Sequence, residues 1–305
     1  MVMSIERVAP ASKAVILLLS SSVFFAALSA GLHSHLDKIS HVFLTGSMIL
    51  GFFALLKIIN SVVSKFFIAR PVHWIHAMIF EILALLAITV LRLLRLSSPK
   101  KIRPNITQER GSAKPILLVH GYCHDSSAWA YIQGQLARET FSPIYTIDLG
   151  YPFHSMHEYA KRVTERAEQI KKETGQTDLI LIGHSMGGLI SSIVAMKEAQ
   201  SISSVFTIAS PMSGTHMAKI GVGPNAREMQ PRSPLISDLN KQLGAETNIR
   251  FYHIGTKTDQ IVIPGSSALR GHHPQREFLF EDMGHASLLF SPRVVGLLVH
   301  WLRDL

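Results

Sequence analysis

The sequence predicts an α/β protein, a mainly parallel sheet with helices on both faces, preceded by a set of hydrophobic helical segments. From residue 114 onward, short apolar runs alternate with longer helical patterns, the signature of parallel strands joined by crossover helices. The first hundred residues hold three long stretches that are almost free of charge, quite unlike the rest of the chain. Between the two patterns lies "SSPKKIRPN" (97–105), with two prolines and three basic residues, which reads as a linker. The division expected is therefore 1–105 for membrane-anchoring segments and linker, and 106–305 for a catalytic domain.

The apolar stretches set the first part. Val15 to Leu32 and Val42 to Leu56 contain no Lys, Arg, Asp or Glu, and Trp74 to Leu91 contains only Glu81. The first segment, 14–32, approaches the ~20 residues that cross a bilayer as a helix. The second, 42–63, reaches that length if Lys57 snorkels to an interface. The third, 74–96, carries Glu81 and ends in Arg92 and Arg95. One such segment could be a core helix; three in succession predict a retained membrane anchor, with the bilayer as a partner.

Charge points the same way. Residues 1–100 carry nine Lys and Arg against three Asp and Glu, whereas the remainder carries 21 against 18, so most of the formal +9 belongs to the apolar part. A basic apolar segment suits anionic lipid head groups. No basic stripe interleaved with aromatics is present, which excludes nucleic acid as a partner. Basic residues flank the segments most simply if the first two form a hairpin and the third lies in the interface, with the catalytic domain facing the cytoplasm. A carboxylate such as Glu81 is also costly at the bilayer centre, by about 3 kcal/mol. The single cysteine, Cys123, excludes an internal disulfide.

In the second part the strands are "KPILLVHG", "SPIYTIDL", "DLILIG", "SVFTIAS", "IRFYHIG" and "REFLFE". Helices are predicted near 128–139, over 155–174 with Gly175 as its cap, over 187–198, and over the final apolar stretch 287–302. At the end of the third strand stands "GHSMGG". A serine hydroxyl is a poor nucleophile unless a base takes its proton and nearby donors hold the developing oxyanion. A sharp strand-to-helix turn lifts Ser185 above the sheet edge and sets a helix N-terminus beneath it. Side chains two residues to either side would collide in such a turn, which explains Gly183 and Gly187.

With these motifs in place, residues 114–305 resemble the α/β-hydrolase family, and within it the lipase and esterase group. "GHSMGG" is similar to the family's nucleophile elbow, "LVHGYCHDSSAW" to its oxyanion loop, and "IASPMSGTHMA" to a segment in which lipases often carry Thr where Ser210 stands here. The resemblance implies an α/β-hydrolase fold and a triad in the order Ser185, Asp259, His285. Asp259 lies in the turn after "IRFYHIG", and His285 between the last strand and the final helix. Asp282, three residues before His285, is too close in chain to reach its far nitrogen easily, and Asp238 falls on a helix surface. The oxyanion hole is expected from the backbone N–H groups of Tyr122 and Met186. His120 is expected to brace the oxyanion loop, His184 to pack beneath the elbow, and Cys123 to fill space.

No metal or cofactor is implied. The pairs His33/His35 and His272/His273 have no carboxylate or cysteine at ligand spacing. The expected function is a membrane-anchored serine hydrolase acting on carboxylic esters, lipid esters in particular, by way of an acyl-enzyme on Ser185. A thioesterase, acyltransferase or amidase would use the same residues. A catalytically retired scaffold is the alternative of a different class. The stretch from Met212 to Asn248 is expected to form a short cap over the pocket.

Overall fold

The structure, a computed structural model, describes residues 71–97, 114–141, 143–245, 248–271 and 273–305. The apolar segments 14–32 and 42–63, most of the linker 97–105, and His33, His35 and His272 lie outside the described residues. In chain order the principal elements are α1 (Pro71–Ser97), β1 (Ile116–Val119), α2 (Ala130–Arg138), β2 (Ile144–Ile147), α3 (Met156–Thr174), β3 (Leu179–His184), α4 (Met186–Lys197), β4 (Ile202–Ile208), α5 (Pro224–Glu228), α6 (Pro234–Leu243), β5 (Arg250–Thr256), β6 (Glu277–Phe280) and α7 (Pro292–Arg303).

Six strands form one sheet in the order β2-β1-β3-β4-β5-β6, and every neighbouring pair is parallel. Strands buried on both faces read as continuous apolar runs, and all four β1 residues are buried. Alternate side chains supply two cores. Ile116 and Leu118 join Trp129, Ile182, Leu298 and Trp301 on one face, while Leu117 and Val119 join Tyr159, Leu181, Ile190 and Val194 on the other. The chain leaves β1 toward β2 on one side, then returns past it to β3 on the other. Such a reversal opens a crevice at the carboxyl ends of β1 and β3, where open α/β sheets place their ligands.

Local signals account for the helix ends. Ser155 and Glu158 form a reciprocal capping box on α3, and Gly175 closes it in the left-handed region at φ 75°. The continuous helix expected over 287–302 is instead two pieces. A 3-10 turn covers Ser287–Phe290, and α7 starts at Pro292 with Ser291 as its cap, its hydroxyl accepting from the N–H groups of Arg293 and Val294. Proline has no N–H to donate and is suited to the first turn of a helix, so the break falls there.

The third apolar segment, α1, belongs to the same compact unit as the sheet, which runs from Val72 to Leu305. Ala84 and Ile88 enter the core shared with α2 and α7. Arg92, buried, pairs with Asp125 at 2.8 Å. The outer side is apolar and exposed at Ile75, Ile79, Leu83, Leu86 and Leu94. Among the described residues, His73–Leu94 is the one helix long and apolar enough to cross a membrane by length and composition.

This placement separates the two sides of α1 energetically. Ile88→Ala leaves a cavity under the sheet and should destabilise the domain by about 2–4 kcal/mol, whereas Leu86→Ala should change stability by no more than about 0.5 kcal/mol. Chemical unfolding of the detergent-solubilised chain measures both, and equal losses would show that α1 is not packed as described.

Candidate active site

The turn after β3 carries Ser185 at φ 56°, in the left-handed region that a side chain rarely adopts. Its N–H donates to the Ile208 carbonyl at 2.8 Å, which ties the strained residue to the end of β4. The flanking glycines follow from contact. A Cβ on Gly183 would overlap the backbone of Gly187 and Gly188, and one on Gly187 would overlap the Val119 carbonyl of β1. Gly188 lies equally close to Ser210, so the residue that departs from the lipase pattern packs directly under the elbow helix.

The oxyanion loop meets this turn from β1. Gly121 abuts the serine, since a Cβ there would lie 2.9 Å from the Ser185 Cβ. His120 holds the loop by both ring nitrogens: Nε2 accepts from the Leu149 N–H at 3.0 Å, and Nδ1 therefore donates to the Gly121 carbonyl at 2.9 Å. Burial holds its pKa below the ordinary histidine value. Tyr122 follows; its hydroxyl donates to the Val222 carbonyl at 2.8 Å and accepts from the Val222 N–H. Met186 opens α4, so its N–H is one of the first four of a helix, which have no intrahelical acceptor. Cys123, half-buried in this loop, has its thiol pushed up to about 12 by desolvation, which makes it a poor nucleophile.

Asp259 and His285 are brought together. Asp259 Oδ2 accepts from His285 Nδ1 at 2.9 Å, with both residues buried. The other carboxylate oxygen accepts from the N–H groups of Ile261 and Val262 at 2.8 and 2.7 Å, fixing the plane of the group. Burial opposes protonation of His285, but the Asp259 charge and hydrogen bond, helped by Glu81, outweigh it and raise its pKa. Asp282 faces elsewhere, paired with Arg293 at 2.8 Å on the surface, and Asp238 is exposed on α6 beside Lys241.

Three histidine rings run from the oxyanion loop to this pair. His124 and His184 have ring centroids 6.1 Å apart, and His184 and His285 4.7 Å. His184 Nε2 lies 3.1 Å from the His285 carbonyl and so carries its proton. Burial first, then the neighbouring histidines, keeps His184 well below the ordinary value and His124 at about 3, so both stay neutral beside His285.

The segment 212–248 expected as a cap holds α5 and α6. Asn225 reaches from α5 to the Pro152 carbonyl at 2.8 Å and to the Met186 sulfur at 3.6 Å, which sets it beside the elbow. A cavity of about 710 Å³ lined by Phe251, Arg270, Arg276 and Glu277 contains none of the triad or oxyanion-loop residues. Among the described residues, no group of three or more His, Cys, Asp or Glu side chains could hold a metal.

Gln260, His124 and Glu81 are neighbours of the site that sequence reasoning did not place there. Gln260 Oε1 accepts from the His285 N–H at 3.3 Å, and Glu81 accepts from the next two N–H groups. The only signal for Glu81 was its isolation as an acid in an apolar segment.

Against this geometry, a family described as alpha/beta hydrolase fold matches residues 114–223. A pimeloyl-[acyl-carrier protein] methyl ester esterase of Vibrio vulnificus is 27% identical over 142 residues, 47% of this chain and 51% of that protein. A triacylglycerol lipase of Pseudarthrobacter phenanthrenivorans is 32% identical over 113 residues, 34% of this chain and 35% of that protein. The chain thus spans about half the length, or less, of these curated relatives. A Bacillus licheniformis lipase in its mature form superposes with a TM-score of 0.56 at 15% identity, over 65% of this chain and 95% of that one. The described domain has the α/β-hydrolase fold.

The Asp259–His285 pair makes a signed prediction. Removing the carboxylate charge in Asp259→Asn lowers the His285 pKa, so the acidic limb of kcat/KM should move to lower pH. The plateau should fall by about 10²–10⁴-fold as the imidazole loses its preferred tautomer. Asp282→Asn should leave both unchanged. A pH–rate profile on a chromogenic ester decides; an unshifted limb in Asp259→Asn would remove Asp259 from the histidine's partner set.

Proposed function

We propose that the chain is a membrane-attached serine hydrolase that cleaves carboxylic esters, with lipid esters as its substrates. The buried Asp259–His285 hydrogen bond beside the strained Ser185 turn carries this proposal. In this mechanism Ser185 Oγ attacks the ester carbonyl while His285 Nε2 takes its proton. The Tyr122 and Met186 N–H groups receive the oxyanion; the loss of one such donor typically costs about 3 kcal/mol in the transition state. His285 then returns the proton to the leaving alcohol, and water repeats the sequence to release the acid. Asp259 holds the tautomer and stabilises the imidazolium without taking up the proton.

Lipid substrates are supported by the apolar segments, which would keep the site where such esters concentrate, and by relatives named as a lipase and as an esterase. We further propose that 14–32 and 42–63 form the hairpin anchor. In this proposal α1 lies in the membrane interface and the catalytic domain faces the cytoplasm. The packing of Ala84 and Ile88 under the sheet, and the burial of Glu81 in protein rather than lipid, support that role for α1.

Ser185→Ala should abolish ester hydrolysis and labelling by a fluorophosphonate probe, with a loss on the order of 10³-fold or more and an unchanged fold. A retired scaffold predicts no labelling of the natural chain, and an alanine variant retaining a tenth of the turnover would exclude Ser185 as the nucleophile. Sidedness is read with a phosphatase fused after Leu305 that is active only outside the cytoplasm. It should be silent, and an active fusion would replace the hairpin by three spans.

A further inference from the structure

Glu81 is the only acidic residue in the third apolar stretch, and the reaction sequence above does not use it. It sits on the inner side of α1, 2% exposed. Both of its carboxylate oxygens lie 2.8 Å from the Ala286 N–H, and Oε2 also accepts from the Ser287 N–H at 2.9 Å. These are the two peptide groups that directly follow His285. A buried peptide donor needs an acceptor, and Ala286 and Ser287 are themselves buried. The contact is close from the other direction too, because a Cβ on Gly284 would overlap the Glu81 carboxylate.

The other buried polar contacts of this loop come from the sheet side of the domain. Gln260 accepts from the His285 N–H, His184 donates to the His285 carbonyl, and Thr256 and Thr258 donate to the Met283 carbonyl, each at 2.7 Å. From the apolar helix come Glu81 and, at the exposed start of the loop, His76, whose Nδ1 donates to the Asp282 carbonyl at 3.0 Å; Glu81 is the one that reaches the peptides after His285. Three turns further along that helix, Arg92 pairs with Asp125, whose other oxygen accepts from the Ser127 N–H and caps the turn that follows the oxyanion loop. One helix therefore grips the loops on both sides of the elbow.

We propose that α1 is part of the active-site framework, with Glu81 as a positioning residue that sets His285 through the Ala286 and Ser287 peptides. The proposal rests on the serine-hydrolase mechanism above. Held in this way, the imidazole keeps its place between Asp259 and the serine as it gains and loses its proton. When ionised, Glu81 also favours the imidazolium. The apolar segment is then more than a tether, because movement of α1 away from the sheet would release the histidine loop.

The test uses the full chain in detergent micelles and the second-order rate of fluorophosphonate labelling, with kcat and KM on a short chromogenic ester. Glu81→Gln keeps the shape and one acceptor but loses the charge and the second acceptor oxygen. Its labelling rate and kcat should fall by about tenfold or more with KM nearly constant, since small misplacement of a catalytic group costs up to about 10²-fold. Glu81→Leu should fall further, so that partial rescue by glutamine separates positioning from simple loss of packing. Gly284→Ala, which pushes on the same contact with Glu81 intact, should show the same loss and decides the matter if a Glu81 variant does not fold. Labelling of folded Glu81→Gln or Gly284→Ala within about threefold of the natural chain overturns the role of Glu81. A natural chain that is not labelled at all overturns the hydrolase mechanism itself.

Discussion

The close crossing at the carboxyl end of β3 governs the rest of the structure. Here the elbow backbone touches the last carbonyl of β1, and the helix it starts lies against Ser210 after β4. A residue such as Ser185 at φ 56° is held in a conformation that costs about 1–3 kcal/mol, and it persists only where its surroundings over-determine it. The fully buried β3 and the buried stretch of α4 from Met186 to Ala195 supply that support. With the elbow so placed, the β1 loop must arrive through Gly121, the one residue small enough to lie against the serine. The reversal of strand order between β1 and β3 then makes the crevice the meeting point of loops from distant parts of the chain.

Around that crossing the hydrogen bonds of the buried histidines assign their protons. His120 and His184 each have one nitrogen whose partner is fixed, which sets their tautomers without reference to the reaction. Their neutrality follows from burial. Among the histidines of the site, His285 alone has a carboxylate against its ring and alone has its pKa raised. An acid–base residue surrounded by neutral rings can carry a positive charge without a second cation opposing it.

The apolar helix α1 shows how one sequence pattern serves two environments. Its inner side carries Ala84 and Ile88 into the sheet core and Glu81 and Arg92 onto loops. Its outer side is almost wholly aliphatic and exposed. Burial pushes the Glu81 carboxyl up to about 7, and the two N–H groups it accepts oppose that shift. The group is thus balanced between a cost of desolvation and the need of two buried peptides for an acceptor.

The alternation of strands and helices, the elbow with its glycines, and the chain order of Ser185, Asp259 and His285 were legible because each depends on periodicity or on clashes within a few residues. So were the cap of α3 at Gly175 and the preference for Asp259 over Asp282. The break at Pro292 was also written in the chain, but the apolar run on either side masked it. The role of Glu81 was not legible. As a single acid in an apolar stretch it read as a marker of membrane depth, since nothing local distinguishes a carboxylate at an interface from one that meets a peptide. Its partners lie 205 and 206 residues away, and only the packing of α1 against the sheet brings them within hydrogen-bond distance. The sequence by itself determined the fold class and the chain order of the candidate residues Ser185, Asp259 and His285, because both are local in origin. The tertiary structure decided which buried donors meet which acceptors, because that depends on where distant elements come to rest.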